Sequence, residues 1–121
     1  MKDFDIKPAA HPRTEPIRLG EIARARSGDK GTSANIGIIV ESRAAYDLLV
    51  GQLTPERVAE YFEPMGVIGI DRYELPNLRA LNFVLRGILG RGTRVDSQGK
   101  ALGQAILEMP IMLPEGRWPA D

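Results

Sequence analysis

The residue types best suited to chemistry in this chain gather in one short run, Arg26-Ser27-Gly28-Asp29-Lys30-Gly31-Thr32-Ser33. Glycines let backbone N–H groups turn towards an anion, and Lys30, Thr32 and Ser33 add further donors. The run lacks the order of a phosphate-binding P-loop: Lys30 precedes Gly31, and the required spacer from an earlier glycine is missing. The next segment, Ala34 to Val40, is strand-like, so no helix dipole would face a bound anion. Two readings stand side by side. One is a ligand loop in which Arg26, Ser27, Gly28 and Gly31 hold an anion beside Asp29 and Lys30. The other is a polar turn between two strands, with Asp29 and Lys30 solvated.

A second candidate is Arg72-Tyr73-Glu74-Leu75-Pro76-Asn77, where Arg, Glu and Asn surround a proline at a strand end. Glu74 and Asp29 would form a carboxylate pair for acid–base work if the fold brought them together; ion pairing of Glu74 with an arginine is the competing fate. A third feature is charge asymmetry. Residues 41–63 hold five acidic and two basic side chains, whereas residues 72–100 hold six basic and two acidic ones. Twelve of the sixteen basic residues are Arg, whose rigid fork suits carboxylates, phosphates and interface ion pairs. If residues 78–89 are helical, Arg79, Asn82 and Arg86 share a face for an anionic partner. If they form a strand, that shared face is lost. Gly90-Arg91-Gly92-Thr93 reads as a loop able to close over a ligand, or as a plain connection.

Composition narrows the chemistry. The 121 residues include no Cys and a single His, His11, among the prolines of the first 16 residues. Thiol nucleophiles, disulfides, Cys-ligated metals and His-based triads are therefore excluded, and no metal or cofactor is expected. Sixteen basic residues balance sixteen acidic ones, which argues against nucleic acid as a partner. The start has no apolar signal segment, and no run approaches the ~18 apolar residues of a membrane span. A cytoplasmic protein without membrane attachment is expected. A length of 121 residues suits one domain. Proline-rich ends mark residues 1–15 as a flexible leader and 114–121 as a tail around a core at 16–113.

The elements that must position these side chains can be read from periodicity. Ile17–Ala25 reads as a strand, Ser27–Ser33 as a turn, and Ala34–Val40 as a buried strand. Arg43–Gln52 carries a helical stripe. Thr54-Pro55-Glu56 starts a second helix that Pro64 stops. Val67–Tyr73 reads as a strand. In Leu78–Leu89, the leucines and Ile88 fall at helical spacing after a possible Asn77 cap, yet Leu81–Leu85 would equally suit a buried strand. A helix capped by Asp96-Ser97 and carrying Leu102 and Ile106, then a strand at Ile111–Leu113, complete the order. Mixed strands and helices at this size imply an α+β sandwich with helices over one sheet.

Taken in sequence, Ala25–Gly31, Ala34–Gly37, Arg72–Leu78, Ala80–Leu85 and Gln98–Gly103 resemble the AtuA-like family (acyclic terpene utilisation), in its small C-terminal ferredoxin-like domain. The resemblance covers about residues 16–113. It implies a ferredoxin-like fold, whose βαββαβ plan would make Leu78–Leu89 a strand. It also implies a context, since family members are linked to acyclic terpene catabolism through CoA thioesters, with a larger domain preceding this one. This chain then looks like the small domain occurring as a stand-alone chain. The partner would be a second copy, a separately encoded large subunit, or both. Gly90-Arg91-Gly92 departs from the family's glycine-rich run. The resemblance leaves two functions open. An accessory subunit would carry the Arg26–Thr32 loop, Glu74 and Asn77 at a shared surface. An enzyme or binding domain for an anionic metabolite such as an acyl-CoA would use Asp29, Lys30 and Glu74 as catalytic groups. Its ligand-binding residues would be Arg26, Ser27, Gly28, Gly31, Asn35, Arg72, Asn77, Asn82 and Arg86.

Overall fold

The computed structural model describes residues 16–88 and 102–113. Ile17–Arg18 (β1) leads through a 3-10 turn to a long hairpin, Arg24–Lys30 (β2) and Ser33–Ile39 (β3). Two helices come next, Arg43–Gln52 (α1) and Pro55–Tyr61 (α2), and then the strands Gly69–Leu75 (β4) and Ala80–Arg86 (β5). Residues 102–106 form a helical turn (α3), and Pro110–Ile111 (β6) returns to pair antiparallel with β1.

The main sheet has the order β2-β3-β5-β4, antiparallel throughout. The helical pair α1–α2 carries the chain from β3 to β4, and β5 inserts between these two strands as a split β-α-β unit. The remaining strand, β2, comes from the N-terminal hairpin, and the chain after α3 goes to β6 beside β1.

One face of the sheet is buried under the helices. Ala34, Ile36 and Ile38 of β3 alternate with more accessible residues, and Leu81, Phe83 and Leu85 of β5 lie directly opposite them. They pack with Ala45, Tyr46 and Leu49 of α1, Val58 of α2, Phe62, and Leu102 and Ile106 of α3. Ile17 and Ile111 join the same cluster, so the small β1–β6 ribbon shares the core. Fully burying one such aliphatic or aromatic side chain contributes about 1.5–3 kcal/mol, and the set far outweighs any single polar contact.

The start of α2 matches its sequence signal, and α1 is capped in the same way. Ser42 Oγ accepts from the Ala45 amide at 3.0 Å, and Thr54 Oγ1 accepts from the Arg57 amide at 3.1 Å, with Pro55 at the first turn. One open alternative is decided and two expectations are corrected. The helical count at 78–89 yields to a strand, Ala80–Arg86, because its inward residues extend the apolar face of β3. The segment 27–33 is not a loop. It continues β2 to Lys30, and only Gly31 and Thr32 form the turn. Gly31 has φ +65°, and a glycine at the first of two turn positions matches the strand twist. The expected strand Ile17–Ala25 is split: Ile17–Arg18 pairs with β6, Leu19–Glu21 turns against residues 107–109 through the Leu19 and Gly20 amides, and β2 starts at Arg24. The leader, the Asp96-Ser97 cap, the Gly90–Thr93 run and the tail lie outside the described residues.

Candidate functional site

Directly paired residues in an antiparallel sheet share a face, so the register sorts the candidate side chains. Arg26, Gly37, Asn82 and Tyr73 form one row across the face turned away from the helices. Gly28, Asn35, Val84 and Asp71 form the adjacent row. The face is flat where glycine sits. The Asn35 amide oxygen lies 3.0 Å from where a Gly28 Cβ would stand, and the Asn82 oxygen 3.8 Å from a Gly37 Cβ. Among the described residues, no ion pair or side-chain hydrogen bond engages Arg26, Asn35 or Asn82.

Ser27, Asp29, Arg72 and Glu74 belong to the opposite, helix-bearing side. Gly103 of α3 approaches so closely that a Cβ there would sit 3.1 Å from Ser27 Oγ. Arg72 is occupied. One guanidinium nitrogen donates to the carbonyls of Val50 and Leu53 at the end of α1, at 2.8 and 3.0 Å, and another to Glu74 at 2.7 Å. Asp29 and Glu74 lie on the two edge strands, three strand spacings or about 14 Å apart laterally, and further apart along the strands. The carboxylate pair is therefore not assembled, and Glu74 takes the arginine partner instead.

The helical face joining Arg79, Asn82 and Arg86 is likewise lost with the helix. Arg79 falls in the tight connection after Pro76–Leu78 with φ +50°, at one end of the sheet, and Arg86 at the other. Arg86 closes over Gly69 and forms an ion pair with Asp71 on the outward face. Asn77 is exposed on the Pro76–Leu78 turn. Lys30 takes the register position opposite Ser33 beside the Gly31-Thr32 turn, one residue along β2 from Asp29. Open clefts among the described residues include one of about 450 Å³ beside Arg24, Glu41 and Ser42, and one of about 520 Å³ between α2 and the start of β4. Neither is lined by any of the candidate residues, and no acidic or His group suited to a metal ion forms among the described residues.

The outward face gains Gly37 and Tyr73, neither of which carries an obvious chemical motif. Their signal is the alternation of Ala34, Ile36 and Ile38, which assigns Asn35 and Gly37 to the other side of the same strand. One titration is displaced. Burial, and then the nearby Glu108 carboxylate, raise the Tyr61 phenol above its ordinary value of 10.0. Its hydroxyl donates to the Ala105 carbonyl at 2.7 Å, fastening α2 to α3.

An antiparallel sheet in split β-α-β order, with its helices on one face, defines a ferredoxin-like α+β domain. The chain matches the model of the AtuA ferredoxin-like domain over residues 17–112 and belongs to that family. No curated protein and no solved structure matches it. Among the described residues, no helix is long and apolar enough to cross a membrane.

Proposed function

We propose that this domain is an accessory module of an AtuA-like protein, presenting the outward face of its sheet to the larger domain or subunit. The observation that carries this reading is the composition of that face. Glycine and asparagine are poor strand formers, and packing beneath the helices does not require them there. They produce a flat floor with upright amides, flanked by Arg26 on one side and Tyr73 on the other. Such a surface loses strand stability and gains close backbone approach for another body. Within acyl-CoA or terpenoid catabolism, the module would shape or close the larger domain's site.

Gly37→Val tests this directly. The site has ordinary space for a Cβ, and valine favours a strand, so the fold is retained while the floor is raised. Co-purification with an AtuA-type large subunit is expected for the native chain and lost for the variant. A large subunit that ignores both chains, or binds both equally, removes the reading.

A second reading is favoured by one local feature. Arg26, Asn35 and Asn82 surround the bare Gly37 backbone and could hold an anionic group of a metabolite such as an acyl-CoA. Thermal shifts with CoA esters and small organic acids, compared between the native chain and Arg26→Ala, decide it. No shift, or one that Arg26→Ala leaves unchanged, counts against it.

A further inference from the structure

We propose that the free edge of β4 pairs antiparallel with the β4 edge of a second copy, in a register centred on Tyr73. The domain exposes two sheet edges, β2 and β4, and among the described residues no strand pairs with either. An unprotected edge is a template for another strand, and a two-fold pairing must match each residue with one on the same face. Those constraints leave only a few registers to compare.

On β4, centring on Tyr73 sets Arg72 of each copy opposite Glu74 of the other, and Asp71 opposite Leu75. Shifting the axis to Asp71, Arg72 or Glu74 puts identical charges directly across it, which destabilises a cross-strand pair. On β2, the principal overlaps set Arg24 against Lys30, Arg26 against itself, Arg26 against Lys30, or Asp29 against itself. The β4 edge is self-complementary and the β2 edge is not.

Charges pointing inward from an edge strand usually guard it, but Arg72 and Glu74 neutralise each other within one chain at 2.7 Å. Asp71 is likewise paired, with Arg86. The ends of the seam agree with its centre. The Ile68 amide bonds to the carbonyl of Arg86, the register partner of Gly69, so Ile68 is held beside the end of β4 just outside its regular ladder. In the Tyr73 register, Ile68 of one copy meets the Pro76–Leu78 turn of the other. Ile68 and Leu78, exposed by 82% and 67%, are the most exposed large hydrophobics described. Arg79, next to Leu78, arrives at the same end, near the cleft bordered by Glu56, Glu60 and Glu63. By symmetry both matches form twice.

Single cysteines test the register, because the chain has none of its own. In a two-fold seam only the axial residue lies within disulfide reach of its own copy. Under mild oxidation Tyr73→Cys should form a covalent dimer, well ahead of Asp71→Cys, Glu74→Cys and, on the β2 edge, Arg26→Cys. Sedimentation should show a native dimer that dissociates in Tyr73→Lys and in Glu74→Arg. Tyr73 is 52% exposed, and circular dichroism confirms that each variant is folded before its mass is read. A monomer throughout the micromolar range, a dimer unaffected by both charge variants, or fastest cross-linking at another position overturns the proposal. Gly37→Val should leave this dimer intact, which separates the seam from docking of a larger subunit.

Discussion

At Arg72 one guanidinium serves three acceptors, the Val50 and Leu53 carbonyls and the Glu74 carboxylate. The first two lie at the C-terminal end of α1, where the last carbonyls lack helical partners. The side chain is only 14% exposed, so removing it strands acceptors where water reaches them poorly. Arg72→Met should lower stability by about 1–3 kcal/mol in urea unfolding. Arg72→Lys should recover less than half of that, because an ammonium cannot reproduce the fork. A loss under about 0.5 kcal/mol would instead match a solvated surface pair. Tyr61 gives a second test at this scale. Its folded-state pKa is raised, so between the ordinary value of 10.0 and that higher value the folded chain retains a proton the unfolded chain loses. Stability from this group is complete below the unfolded pKa and falls as pH rises through that window. Ionisation also removes the donor to Ala105. Tyr61→Phe should therefore flatten the alkaline loss of stability above pH about 10, and an unchanged slope would contradict the assignment.

The β2–β3 hairpin turns on two residues, Gly31 and Thr32. Gly31 has φ +65° and no atom within 4 Å of where a Cβ would stand, so the cost of a side chain there is conformational. Gly31→Ala should destabilise by about 1 kcal/mol in thermal or urea unfolding, and Gly31→Asn by less, since asparagine tolerates the left-handed region. Equal losses for the two would point to a steric origin. This hairpin also shows where sequence is informative. The Thr54-Pro55 start of α2 and the stripe of α1 are local signals and can be read directly. Gly31-Thr32 is legible too, as a Gly-X hairpin turn, but the polar residues around it resemble a loop because an edge strand needs few apolar side chains. In Leu81–Leu85 periodicity is ambiguous, and only pairing with β3 decides for a strand. The candidate site depends on that decision: Arg79 separates from Arg86, and Asp29 from Glu74, once the strand order is known. What distinguishes the outward face is cross-strand adjacency, Gly28 beside Asn35 and Gly37 beside Asn82, which spacing along the chain does not encode.

Across the whole molecule, stability is concentrated in the middle of the sheet and tapers towards the β1–β6 ribbon. β3 and β5 each have strands on both sides and contribute the apolar centre, including Ile36 and Phe83. β1 and β6 share only two paired positions, Ile17 with Ile111 and Arg18 with Pro110. The ribbon is held to the body by polar clamps. The Gln52 amide accepts from the Met112 N–H at 2.8 Å and donates to the Met112 carbonyl. Arg57 donates to the Pro110 carbonyl and, at 3.3 Å, to the Gln52 carbonyl. These contacts fasten β6 to the α1–α2 junction and add to the burial of Ile17 and Ile111 in the shared core. Local opening free energies track such differences in contact density. In native-state hydrogen exchange, the Leu19 and Gly20 amides, bonded to the carbonyls of Met109 and Leu107, should exchange well before the β3–β5 amides. Gln52→Ala removes about 1–1.5 kcal/mol of local hydrogen bonding, so it should speed the Leu19 and Gly20 amides by about tenfold. The central strands should keep their protection to within a factor of a few, because their opening requires the core itself to open. Equal acceleration everywhere would mean that the ribbon and sheet unfold as one unit, and that the clamp is part of the global transition.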